Sequence, residues 1–256
     1  MWIVLNLQHY RITANIGGVE MKKLWQTLSL SFMFFGCTTV GIQDKATMEN
    51  INFGPPEKLR ICIYKDVTIS DKQTERIIAA LQTEFSQFGL EIEVPWVKPW
   101  KRPAFTGDEI LNNFVSCPLE SPCDRLLALV GRNFGDFLWG LIMPELHGAV
   151  EVVSMTKGFI VAEIGSFNQI VSMSSAARIA IHETYHLLGC DHGLNAKPCY
   201  EKIALIKKIT RKRRLAGHDF FPSVTLNYRV LKTRNDVENK LGSFQNNLST
   251  CEIVSP

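Results

Sequence analysis

Strong charge of either sign is missing from this chain: 28 Lys and Arg stand against 25 Asp and Glu, a net +3 over 256 residues. So mild a balance does not call for a nucleic-acid partner, whose binders carry a larger, clustered basic excess. No apolar run reaches the roughly 20 residues that a membrane-spanning helix needs, and no internal repeat or low-complexity tract is visible. Methionine is absent after Met173, so nothing in the last third of the chain is built on that side chain. What is present is a globular profile, 46% hydrophobic and 21% charged, with enough apolar material for one domain with a real core and a short tail.

Lys22 and Lys23 precede an apolar stretch that ends at Gly36-Cys37, the layout of a secretory signal peptide over 21–36 that starts at Met21. Residues 1–20 then have no role and are expected to be an over-extended start. The run Phe34-Phe35-Gly36-Cys37 resembles a bacterial lipoprotein box, which implies lipidation of Cys37 and anchoring at the periplasmic or outer-membrane surface; a plain signal peptide or a buried apolar segment is the alternative. A polar linker over 37–56 follows.

With Cys37 set aside, six of the seven cysteines remain to pair. Cys117 and Cys123 share a proline-punctuated loop and are the expected disulfide. Cys62 lies in an apolar strand, where a free buried thiol fits equally well. Cys190 and Cys199 bracket a candidate metal ligand, and Cys251 is near the end.

Periodicity predicts a strand over 58–65, a helix over 70–88 closed by Gly89, a strand over 90–94, a loop rich in Trp and Pro, a short helix over 107–115 and a strand over 126–130. That order argues for an α/β (α+β) fold on a mostly parallel sheet. The stretches 149–154 and 158–164, separated by Met155-Thr156-Lys157, predict a hairpin and so one antiparallel strand, which at a sheet edge can pair with an extended peptide. A buried helix follows over 172–188. These elements divide the chain into a catalytic subdomain over 57–193 and a small, irregular C-terminal subdomain over 194–256, in which 201–214 is basic and amphipathic.

The chemistry is concentrated in His182-Glu183-Thr184-Tyr185-His186-Leu187-Leu188-Gly189-Cys190-Asp191-His192, which fits HExxHxxGxxH at every specified position. Histidines four apart on a helix share a face and reach one ion. Gly189 supplies the left-handed turn that ends the helix and brings His192 back as third ligand. Three neutral ligands leave a position for water, so the expected metal is one catalytic Zn²⁺ with Glu183 as general base. With this composition, chance places the five fixed residues at this spacing with a probability on the order of one in 10⁵.

On this motif the chain resembles the metzincin zinc metallopeptidases. Phe137-Leu138-Trp139-Gly140 and His147-Gly148-Ala149-Val150-Glu151-Val152-Val153-Ser154 are similar to the segment ahead of the active-site helix in the archaemetzincin family. The resemblance covers about residues 57–200 and implies a metzincin-like fold, a peptide or protein substrate and hydrolysis of its peptide bonds. Two family features are missing. No methionine follows the motif to form the turn beneath the metal, and only Cys199 and Cys251 follow His192, which leaves a second, structural zinc short of ligands. A disulfide from Cys199 to Cys190 or Cys251 is expected to stand in for that metal, with Tyr200 either in the region of the missing methionine or simply packed.

Two other functions compete with a peptidase: a zinc-binding lipoprotein without catalysis, serving as a binding module, and an interaction lipoprotein with no metal. The cationic run of Lys207, Lys208, Arg211, Lys212, Arg213 and Arg214 either meets lipid head groups or forms a solvated helix face.

Overall fold

Alternation along one strand sets the architecture. The computed structural model describes residues 44–132, 147–162, 175–193, 195–243 and 251. Residues 1–20, the expected signal peptide over 21–36, Cys37 and the stretch 137–140 lie outside the described residues. In β1 (Glu57–Asp66), Leu59, Ile61 and Ile63 point into one core and Cys62 and Tyr64 into another. A strand buried on both faces reads as a near-continuous apolar run, which is what a parallel sheet between two layers requires. β4 (Arg125–Val130) repeats the rule, with Leu127 and Leu129 on the first face and Leu126, Ala128 and Val130 on the second.

The helices then sort by face. α1 (Lys45–Glu49) is a short N-terminal turn, and α2 (Asp71–Ser86) starts where the Ser70 hydroxyl accepts the Gln73 N–H. α2 buries Ile77, Leu81 and Phe85 on the first face, each contributing about 1.5–3 kcal/mol. It ends before Gly89, whose φ of +60° glycine alone adopts without strain. On the other face lies α3 (Gly107–Val115), opened by a capping box between Thr106 and Glu109 and anchored by Ile110 and Phe114.

β2 (Leu90–Glu93), β4 and β6 (Lys157–Val161) run parallel to their neighbours, and β5 (Gly148–Val150) runs antiparallel to β6 at the sheet edge, giving the order β2-β1-β4-β6-β5. The Trp- and Pro-rich stretch is not all loop. β3 (Val97–Trp100) pairs parallel with β1 from Ile63 to Asp66, below β2 on the same side. Pro99 is tolerated there because an edge strand can spare one donor.

The expected hairpin forms, but its first strand stops at Val150. Glu151 turns inward, and its carboxylate accepts the backbone N–H groups of Val153, Ser154 and Thr156 at 2.7–2.9 Å. The side chain thus does the work that a ladder would have done, and Val152 is left in solvent.

Beyond the helix that carries His182 and His186, α4 (Ala176–Leu187), come α5 (Lys197–Leu215), a small hairpin of β7 (Ser223–Val224) and β8 (Val230–Leu231), and α6 (Arg234–Gly242). α5 is not the freely solvated basic face that its charge suggests. Lys207 is buried and donates to the Phe88 carbonyl, while Arg211 and Arg214 both reach the buried carboxylate of Glu57. The fold is therefore α/β, with six described helices on a mostly parallel mixed sheet.

The cysteines pair as Cys62–Cys123, Cys117–Cys251 and Cys190–Cys199, so the expected Cys117–Cys123 bond is replaced. Strand pairing is the reason. The Asp124 N–H donates to the Arg60 carbonyl, which draws Cys123 alongside β1 and against Cys62, whereas Cys117 follows α3 and meets the C-terminal Cys251.

Candidate metal centre

α4 begins at Ser175, whose hydroxyl accepts the Arg178 N–H, and buries Ile179, Ala180 and Leu187 against the first face of the sheet. That packing fixes the helix rotation, and with it the direction of His182 and His186. The two Nε2 atoms stand 3.1 Å apart. Two nitrogens bound tetrahedrally to one zinc at 2.0–2.1 Å lie about 3.3–3.4 Å from each other. His192 completes the set: its ring centroid is 5.1 Å from that of His182 and 4.4 Å from that of His186. Ligand atoms of all three lie within 4.8 Å of one another, so the group could hold a metal ion.

The protonation of the ligands suits a cation. His186 Nδ1 is 2.7 Å from the Cys190 carbonyl, which can only accept, so Nδ1 carries the hydrogen and Nε2 presents its lone pair. Burial lowers the His186 pKa to about 4 and holds His192 below its usual value as well. Both rings are neutral at pH 7.

Gly189 brings the third ligand round. Its φ is +85°, and a Cβ there would sit 2.5 Å from the Val224 carbonyl oxygen, so conformation and space both demand glycine. The contact also shows what packs against the turn: Val224, at the end of the segment 221–224. Asp124 and Arg125 clamp it. Asp124 Oδ1 accepts the Phe221 N–H at 2.9 Å, and the buried Arg125 guanidinium donates to the carbonyls of Phe221, Pro222 and Leu187 at 2.8–3.0 Å. Burial lowers the Arg125 pKa to about 10, which leaves it charged at neutral pH. Leu187 is the last residue of α4, so one cation joins the end of that helix to the segment 221–224.

Glu183 follows His182 on α4 and is 6% exposed, with its pKa raised to about 8 by burial. It packs beneath the edge strand. A Cβ at Gly148 of β5 would lie 2.8 Å from Glu183 Cγ and 2.9 Å from its Oε1. The carboxyl therefore lies against the sheet edge, one residue after His182 on the same helix.

The fold thus brings together His182, His186, His192, Glu183 and Gly189, the set the sequence motif singled out. Tyr200 does not take the methionine's place: it packs against Phe53 and Phe88, and its hydroxyl accepts the Asp44 N–H. Gly148, Arg125 and Asp124 went unnoticed in the sequence. Gly148 had a signal, as a glycine beside His147 within an apolar strand, where a close approach is the usual cause. Arg125 and Asp124 had only their position at the start of a buried strand. Compared with family models and with curated proteins, the chain matches none.

Proposed function

We propose that the chain is a zinc-dependent peptidase of the metzincin type, nearest to the archaemetzincins, with His182, His186 and His192 as zinc ligands and Glu183 as general base. One observation carries the reading: three imidazoles converge within 4.8 Å of one another, and the residue next to His182 on the same helix is a buried carboxyl under the strand that edges the sheet. Three nitrogen donors with a coordination position to spare suit a catalytic zinc. Zinc, when bound there, supplies Lewis-acid polarisation and an acidified water.

The protein's own groups do the rest. Glu183 accepts a proton from the attacking water and returns it to the leaving amine; burial alone favours its protonated form, and a cation held by the neighbouring histidines would favour the carboxylate that the task needs. β5 offers backbone groups on its outer side, where an extended peptide can add as a further strand and pass over Glu183. The expected setting is an exported, lipid-anchored protein at the bacterial periplasmic or outer-membrane surface, tethered through Cys37.

The missing methionine favours one rival, a zinc-binding module without catalysis. Zinc content and cleavage of a mixed peptide library, measured on the parent and on Glu183→Gln, separate the two. One zinc per chain in both proteins with cleavage only by the parent is the expected result. Zinc in both with cleavage in neither would favour the module, and a parent without zinc would end both readings.

A further inference from the structure

His192 is the exposed member of the histidine trio, and the turn that leads to it from α4 is held by the neighbouring helix α5. In that turn Cys190 is fully buried and bonded to Cys199, in the first turn of α5. One turn further along, Lys202 is 3% exposed, and its Nζ donates to the Gly189 carbonyl at 2.8 Å with the Tyr228 ring centroid 4.5 Å away. Residues three apart share a helix face. α5 therefore grips two consecutive residues of the ligand turn, one by a covalent bond and one by a charged hydrogen bond.

Those two residues also govern the second ligand. The Cys190 carbonyl receives the His186 Nδ1 hydrogen, so its position sets both the tautomer and the orientation of that ring. His192 follows Cys190 by two residues. A shift of the turn would move two of three ligands at once.

As an ordinary staple this disulfide offers the least of the three. Its ends are 9 residues apart, against 61 and 134 for the other two, and a short loop restricts the unfolded chain least. Its placement makes sense through the site.

We infer that Cys190–Cys199 and Lys202 are positioning residues which hold His186 and His192 in ligating geometry and so set the metal affinity of the site. The inference rests on the three-histidine group being a metal site. It is separable from that reading because its test compares affinities among variants that keep all three histidines.

Zinc dissociation constants, by competition with a chromophoric chelator, would be measured for the parent, Lys202→Met, the Cys190→Ser/Cys199→Ser double variant and, as a control, Cys62→Ser/Cys123→Ser. Melting temperatures of the chelated proteins would be recorded alongside. Loss of a group that orients a metal ligand weakens metal binding about 10–100-fold, and a loss in that range is expected for both Lys202→Met and Cys190→Ser/Cys199→Ser. The control is expected to melt at lower temperature yet bind zinc within about twofold of the parent. If the serine pair does not fold, Lys202→Met decides. Parent-like affinity in Lys202→Met, or affinity losses that follow melting temperature across all variants including the control, would overturn the inference. A parent that binds no zinc would remove the metal site itself, and the inference with it.

Discussion

Replacing Gly148 by alanine adds one methyl group at the point where the edge strand crosses Glu183. The new Cβ would meet Glu183 Cγ at 2.8 Å, Oε1 at 2.9 Å and Cδ at 3.0 Å, all inside ordinary van der Waals contact. Glu183 is rooted in a helix packed against the core, and β5 is paired to β6, so neither partner gives way freely. Restoring normal contact needs a displacement of about 0.5–1 Å shared between carboxyl and strand, and misplacement of about 1 Å costs on the order of 100-fold in rate. A fall in kcat/KM of about 10–100-fold is expected, equivalent to about 1.4–2.7 kcal/mol of transition-state stabilisation. Zinc content should stay at one per chain, because no ligand is touched. The assay is steady-state cleavage of the best peptide from a mixed library, with metal content measured on the same preparation. Gly148→Ala activity within about threefold of the parent, or loss of zinc together with activity, would refute the argument that this glycine makes room for the base.

Arg125→Met removes the cation shared by the Leu187, Phe221 and Pro222 carbonyls and leaves them buried without a donor; a loss of about 3–5 kcal/mol in unfolding free energy is expected by denaturant titration. Mass mapping of the oxidised protein should find Cys62 joined to Cys123 and Cys117 to Cys251, and replacing the first pair by serine should cost about 4 kcal/mol on loop-closure grounds. The His186 pKa in the folded, chelated protein is about 4, below its ordinary 6.5, so folding expels a proton between those values. The corresponding stability is complete above pH 6.5 and is lost as the pH falls towards 4, by up to about 3 kcal/mol. A parent stability curve no steeper over that window than that of His186→Gln would show that burial does not hold this ring neutral.

Much of this arrangement was legible in the sequence because its signals are local. The HExxHxxGxxH spacing needs only one helix and one turn, so the clustering of the three histidines and the left-handed turn at Gly189 could be read without knowing the fold. The parallel sheet and its antiparallel edge followed from strand length and order. Three of the misreadings have a distant partner. Cys123 looked closest to Cys117 until β4 paired with β1, and the Trp- and Pro-rich stretch looked like loop because only β1 makes β3 a strand. Lys207 looked like solvated charge because the Phe88 carbonyl that it reaches is 119 residues away. Glu151 looked like part of a strand because an inward carboxylate collecting backbone donors leaves no periodic trace.

The sheet has consequences for how damage to this protein would present itself. One side carries the apolar cluster that seats α4 and its histidines; the other carries α3, α6 and the two disulfides with long sequence separation. Lesions on the second side should appear first as lower yield and earlier melting of a protein whose surviving molecules still work. Lesions around α4 should give well-expressed protein that has lost metal or turnover. A mutational scan scored separately for abundance and for activity should therefore divide along the plane of the strands.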